Sequence, residues 1–112
     1  MAGDVWELLA RCTGFQWDDG NAPKVLSRHD VLPGECEQVF FTEPFLVVFD
    51  ETHSGREPRW HGLGRTAGGR LVHVVFTIRG ALIRVIGARD MSRKERRQYA
   101  EIEERAEKGP GV

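Results

Sequence analysis

Two strand-like runs separated by one tight turn constrain this chain more than anything else in it. Leu71-Val-His-Val-Val-Phe-Thr-Ile78 is rich in β-branched and aromatic residues, and Ala81-Leu-Ile-Arg-Val-Ile-Gly-Ala88 repeats the pattern after Arg79-Gly80. Such runs, joined by a short link containing glycine, pair as an antiparallel hairpin. Counting outward from an Arg79-Gly80 turn sets Ile78 opposite Ala81, Phe76 opposite Ile83 and Val74 opposite Val85. That face is apolar and is expected to pack on helices. The other face pairs Thr77 with Leu82, Val75 with Arg84 and His73 with Ile86. A mid-strand arginine is costly to bury unpaired, so this second face is expected to be open, with Arg84 and His73 exposed on it.

The remaining elements follow from local signals. Arg59–Thr66 reads as a strand that reaches Leu71 through the turn Ala67-Gly-Gly-Arg70, and Phe45-Leu-Val-Val-Phe49 as a short strand buried on both faces. Upstream, Asp4-Val-Trp-Glu7 has the form of a capping box, with Val5, Leu8, Leu9 and Cys12 at helical spacing up to Gly14. Phe15-Gln-Trp17 reads as a short strand. Asn21, with Pro23 behind it, opens a second helix to about His29, and Pro33 a third with Cys36, Val39 and Phe40 on one face. Ser92-Arg-Lys-Glu95 is another capping box, starting a helix to about Glu107, beyond which Gly109-Pro-Gly should fray. The order predicts an α+β fold: an antiparallel four-stranded meander with N-terminal helices and a C-terminal helix.

At 112 residues the chain has room for one domain, residues 1–112, and one modest core. No apolar run approaches the roughly 20 residues of a membrane span, and the start Met-Ala-Gly-Asp-Val-Trp lacks a secretory signal. Cys12 and Cys36 suggest no disulfide framework and fit buried free thiols in a reducing compartment, a single Cys12–Cys36 bridge being the alternative. A cytoplasmic protein without a membrane partner is expected. Charge is unevenly spread beneath a net value of -1. Residues 1–55 carry three basic against ten acidic residues, and residues 56–97 eleven basic against three acidic. All but Lys94 of those eleven are arginine, whose planar fork matches phosphate or carboxylate bidentately. The central segment therefore suits an anionic partner (RNA, DNA or an acidic protein) unless the acidic half neutralises it within the fold.

From Phe15-Gln-Trp-Asp18, with Asn21, Lys24 and His29 following, the chain resembles the BrnT toxin family. The likeness continues through Glu35-Cys-Glu-Gln-Val-Phe40, Pro44, Asp50-Glu-Thr-His-Ser54, Glu57 and Arg59. It closes with Gly64, Ile83-Arg-Val-Ile-Gly-Ala-Arg89, Glu95-Arg96 and Tyr99, so it spans roughly residues 15–99. The ordered set is specific, whereas no single piece is. Val25 stands where the family usually has asparagine, and Gly87 where serine is expected, which removes a hydroxyl from beside Arg89. The resemblance implies the toxin component of a type II toxin–antitoxin system with a RelE-like fold, helices on one sheet face and an RNA-binding concavity on the other. It further implies a metal-independent endoribonuclease, without a cofactor, that inhibits translation by cutting RNA. The implied partner is a cognate DNA-binding antitoxin encoded nearby, so that DNA is reached only through the antitoxin.

Metal-free RNA cleavage uses the ribose 2′-hydroxyl as nucleophile. It needs a base, cations for the charged phosphorane and an acid for the leaving 5′-oxygen. Arg84 and Arg89, with Arg59 on the neighbouring strand, are the expected phosphate clamps; the structural alternative is a salt-bridge network of Arg59, Glu57 and Asp90. His53 and Glu57 are the candidate proton-transfer groups, since histidine titrates near neutrality and glutamate can be tuned upward. Otherwise they hold their loop by hydrogen bonds. Tyr99 either stacks on a base or donates a proton, or it is core together with Ile102 and Ala106. Arg79, Arg93, Arg96 and Arg97 are expected to bind RNA. His29 reads as a helix cap, and His61 and His73 as weaker candidates. No metal site is expected, because His53, His61 and His73 lack ligand spacing with cysteine or carboxylate. The competing reading is a non-catalytic module that binds nucleic acid or an antitoxin, a role the Arg93–Arg97 cluster would also serve.

Overall fold

The computed structural model describes residues 4–108. Helix α1 (Val5–Ala10), strand β1 (Gly14–Phe15) and helices α2 (Ala22–His29) and α3 (Pro33–Val39) come first. Strands β2 (Leu46–Phe49), β3 (Trp60–Arg65), β4 (Leu71–Arg79) and β5 (Leu82–Asp90) follow, then helix α4 (Arg93–Lys108). The expected fraying of Gly109-Pro-Gly lies outside the described residues. Strands β2 to β5 form the expected antiparallel run, but the sheet has a fifth member. Its order is β1-β5-β4-β3-β2, with β1 parallel to β5. The fold is therefore α+β with a five-stranded mixed sheet, not a four-stranded antiparallel meander. Only Gly14 and Phe15 pair, with Leu82 and Ile83, and so short a run encodes no strand direction.

Capping signals account for the helices. Asp4 accepts from the Trp6 N–H at 2.9 Å, and α1 ends at Ala10, short of Gly14. Pro23 and Pro33 occupy first turns, where a missing N–H is harmless. The Asn21 side chain makes no cap. Its Nδ2 instead donates to the carbonyls of Gln16 and Val85, at 2.9 and 3.0 Å, and ties the entry of α2 to β5. At α4 the reciprocal box forms: the Glu95 N–H donates to Ser92 Oγ at 3.2 Å and the Ser92 N–H to Glu95 Oε1 at 2.9 Å.

The hairpin turns one residue later than the sequence suggests. Gly80 takes the first turn position with φ 61°, which a glycine adopts without strain, and Ala81 the second. Ile78 therefore faces Ile83, Phe76 faces Val85, and Thr77 faces Arg84, which Val75 was expected to do. A β-bulge then interrupts the ladder at Val75/Phe76, leaving Ile86 as the extra residue. Beyond it Val75 pairs with Gly87, and His73 with Arg89 rather than Ile86. The bulge resets the two-residue period, so Arg84 and Arg89, an odd number of residues apart, emerge on one face.

Val74, Phe76, Ile83 and Val85 are buried as expected, in a core with Val25, Val39, Trp60 and Val72. Gly62 and Gly64 lie on this face of β3. A Cβ on Gly64 would stand 2.8 Å from Val39 Cβ, and one on Gly62 2.6 Å from the Phe45 ring, so bare backbone is what lets α3 and Phe45 lie on the strand. Strand β2, expected to be buried on both faces, has a neighbour on one side only, and its Val48 is 66% exposed. Helix α4 lies at the β3 end of the opposite face, held by Arg65 and Glu103 at 2.7 Å. Cys12 and Cys36 are both free thiols, the second buried.

Candidate active site

On the face away from the core, the register sets rows of side chains across β3, β4 and β5. Thr77 stands beside Arg84; His61, Val75 and Gly87 form the next row; Leu63, His73 and Arg89 the third. Arg59, the residue before β3, falls on the same face by alternation. A hydrogen-bonded chain crosses these rows. Asp50, just after β2, accepts at Oδ2 from His53 Nδ1 at 3.1 Å and from His61 Nε2 at 3.0 Å. Its Oδ1 takes the N–H groups of Thr52 and His53, each at 3.0 Å. The His53 N–H, followed by the His61 and His53 rings, holds the Asp50 carboxyl down to about 2. His61 Nδ1 lies 2.8 Å from His73 Nε2.

These partners determine where the protons are. Asp50 is ionised at neutral pH and can only accept, so the facing nitrogens of His53 and His61 both carry hydrogen. His53 Nε2 has no hydrogen-bond partner among the described residues and lies on a side chain that is 67% exposed. The bond between His61 and His73 holds one proton, on either nitrogen. Burial, then the charge of Arg89, pushes His73 down to about 4, so it is neutral at pH 7. One carboxylate thus orients two imidazoles, the part an aspartate plays in hydrolytic triads.

The expected clamps lie on this face, but two of the three are already engaged. Arg84 is 9% exposed and donates from Nη1 to Asp18 Oδ2 at 2.9 Å and Gln16 Oε1 at 3.0 Å, and from Nη2 to Asp18 Oδ1 at 3.1 Å. His73 is 6% exposed. The expectation that Arg84 and His73 share an open surface is therefore corrected: they share a face, but the chain after β1 supplies the pairing that makes a buried Arg84 tolerable. Arg89 grips Glu95 at 2.7 and 3.0 Å and holds that carboxyl down to about 2. Arg59 makes no ion pair among the described residues.

The other candidates disperse. The Arg59–Glu57–Asp90 network does not form: Glu57 pairs with Arg79 at 2.7 and 2.9 Å, and Asp90 with Arg70 at 2.7 Å. Hydrogen bonding from Arg79 holds Glu57 below its ordinary range, opposite to the upward tuning a general acid needs. Tyr99 is fully buried, and its hydroxyl donates to the Pro44 carbonyl at 2.5 Å, which is the packing role. Arg93, Arg96 and Arg97 are exposed on the first turns of α4. Cations at that pole oppose the helix dipole, so helix stability does not explain them.

Sequence reasoning found His53 but missed Asp50, and it ranked His61 and His73 low. The spacing Asp50-Glu-Thr-His53 matches a carboxylate turned back on the N–H groups two and three residues on, and was the available signal. The His61–His73 contact depends on register and leaves no local trace. Two depressions meet at His73 and Arg89. One, of about 550 Å³, lies under α4 with Leu46, Val48 and His61 in its wall; the other, of about 400 Å³, is lined by Lys24, Arg28 and Gly87. Among the described residues, no three His, Cys, Asp or Glu side chains are disposed to hold a metal, and no helix is long and apolar enough to cross a membrane.

An α+β domain with oriented imidazoles bordered by guanidiniums can take and return protons beside a bound anion, the chemistry used by proteins that cleave phosphodiesters. The family model for the ribonuclease toxin, BrnT, of type II toxin–antitoxin systems matches residues 17–95, and the chain belongs to that family. Membership brings a cognate antitoxin as partner. Among curated proteins nothing matches the chain.

Proposed function

We propose that this protein is a cytoplasmic endoribonuclease that cuts RNA without a metal ion and thereby inhibits translation. In this reading a DNA-binding antitoxin neutralises it, and it meets DNA only through that partner. The observation that carries the catalytic part is Asp50 bound at once to His53 and His61, on the face that also bears Arg59, Arg84 and Arg89. His53 Nε2 takes the proton of a ribose 2′-hydroxyl, and the oxygen attacks phosphorus. Guanidiniums stabilise the phosphorane, and the bond to the 5′-oxygen breaks. A proton reaches that oxygen through His61, leaving a 2′,3′-cyclic phosphate and a 5′-hydroxyl. Arg59, being unpaired, meets the phosphate first. Arg84 and Arg89 offer forks now filled by the carboxylates of Asp18 and Glu95, positions whose geometry a phosphate shares. Arg93, Arg96 and Arg97 draw the strand in electrostatically.

The test is cleavage of a defined RNA in the presence of a chelator. His53→Ala, a surface change, should lower the rate by about 10²–10⁴-fold, the usual worth of one acid–base group, with melting unchanged. A full rate in His53→Ala, or loss of wild-type cleavage on chelation, overturns the assignment. The engagement of Arg84 and Arg89 by carboxylates favours the second reading, a non-catalytic module that binds RNA or antitoxin. Under that reading the wild-type protein binds RNA and leaves it intact.

A further inference from the structure

An apolar trough that shares no lining residue with the depressions at His73 is not used by the nuclease reading. Phe41, in the link between α3 and β2, is 78% exposed, and Trp6 of α1 is 51% exposed. With Phe40 and Phe45 they line two joined depressions of about 810 and 530 Å³. The rings brace one another, with centroids 6.2 Å apart for Trp6 and Phe45 and 6.1 Å for Phe15 and Phe41. Chains that function alone rarely leave large aromatic side chains uncovered on one continuous surface. Among the described side chains, the charged residues lining it are Glu43, Glu103 and Glu107, all of one sign. Arg65 beside it is neutralised by Glu103. The last turn of α4, the negative pole of that helix, reaches the same place.

We infer that this trough anchors the antitoxin through a cationic amphipathic segment. One or two of its bulky apolar side chains lie between Trp6 and Phe41, and its lysines or arginines face Glu43 and Glu107. Charge selects this occupant. RNA is repelled by the rim. A second copy of this chain is a poor fit, because its own cationic stretch, Arg93 to Arg97, contains no apolar residue to fill the trough. The inference rests on membership of the toxin–antitoxin family, which supplies the partner, and not on the assignment of any catalytic residue. It places the antitoxin's anchor on a surface separate from His53, His61 and Arg89, so tethering and inhibition become separable.

Purified antitoxin from the adjacent reading frame is titrated against four forms of this protein: wild type, Phe41→Asp, Phe41→Leu and the double reversal Glu43→Lys with Glu107→Lys. Phe41→Asp should weaken binding by about 30-fold or more, the loss typical of a central aromatic anchor, while Phe41→Leu keeps most of the affinity. The double reversal should weaken binding about 10-fold and flatten its salt dependence. Melting temperature and RNA cleavage should not change, because the three side chains are exposed and line neither depression bordering His73. Wild-type affinity in Phe41→Asp overturns the inference. So does a wild-type chain that is dimeric alone and becomes monomeric with Phe41→Asp, since a second copy is then the occupant. Failure to cleave RNA counts against the nuclease reading alone, because the titration does not depend on cleavage.

Discussion

His73 makes the stability of this protein sensitive to pH starting near 6.5, above the range where carboxylates titrate. Burial first, and Arg89 second, lower its pKa from 6.5 to about 4. Between those values the unfolded chain binds a proton that the native chain refuses. Stability is therefore full above about 6.5 and falls as the pH drops toward 4. At 1.36 kcal/mol per unit, the loss is about 2 kcal/mol by pH 5 and about 3 kcal/mol by pH 4. The carboxylates behave differently: Asp50 and Glu95 are held near 2, and Asp18, Glu57 and Asp90 are also lowered, so their contributions are full above about pH 5 and are lost below it. For a domain of this length, 2 kcal/mol corresponds to roughly 10 °C in Tm. Thermal melts of wild type and His73→Gln from pH 7.5 to pH 5 measure the effect, since glutamine keeps a partner for His61 without titrating. The wild type should lose roughly 10 °C over that range, and the variant should lose little. Parallel slopes in the two proteins would refute the burial argument.

Arg84→Ala should cut RNA cleavage by about 10²–10³-fold and also lower Tm, because the side chain is buried against Asp18; Arg84→Lys should recover part of both. If cleavage in Arg84→Ala is untouched, Arg84 is only a structural ion pair. Tyr99→Phe should cost about 1–2 kcal/mol by leaving the Pro44 carbonyl unpaired, with cleavage unchanged, as unfolding and rate measurements on one preparation would show. Gly64→Ala should destabilise by about 1–3 kcal/mol, because its Cβ meets Val39 at 2.8 Å. Gly87→Ser, with nothing within 4 Å of its Cβ, should stay within about 0.5 kcal/mol of wild type in the same melts.

Much of the scaffold could be read from residues whose neighbours are local. The apolar alternation of Val74, Phe76, Ile83 and Val85 identified the core face, and Ser92 with Glu95 marked the start of α4. What escaped depended on register. A turn at Gly80-Ala81 instead of Arg79-Gly80, and a bulge at Ile86, have no compositional mark, yet together they decide that Arg84 and Arg89 share a face and that His73 sits beside Arg89. The parallel pairing of β1 was equally hidden, since two residues carry no pattern. At the site, His53 was visible because histidine titrates near neutrality. Asp50 was not, because an aspartate after a strand reads as an ordinary turn residue until the ring of His61 is found against it.

The chemistry of the cut ends tests the central claim most directly. Wild-type protein is incubated with a defined RNA in excess chelator, alongside the same RNA carrying 2′-deoxyribose at the cleaved position, and the fragments are weighed by mass spectrometry. Attack by the 2′-hydroxyl, with His53 as base, predicts fragments ending in a 2′,3′-cyclic phosphate and a 5′-hydroxyl, and no cut at the deoxy position. Fragments with 3′-hydroxyl and 5′-phosphate ends, or cleavage at the deoxy position, would contradict the account.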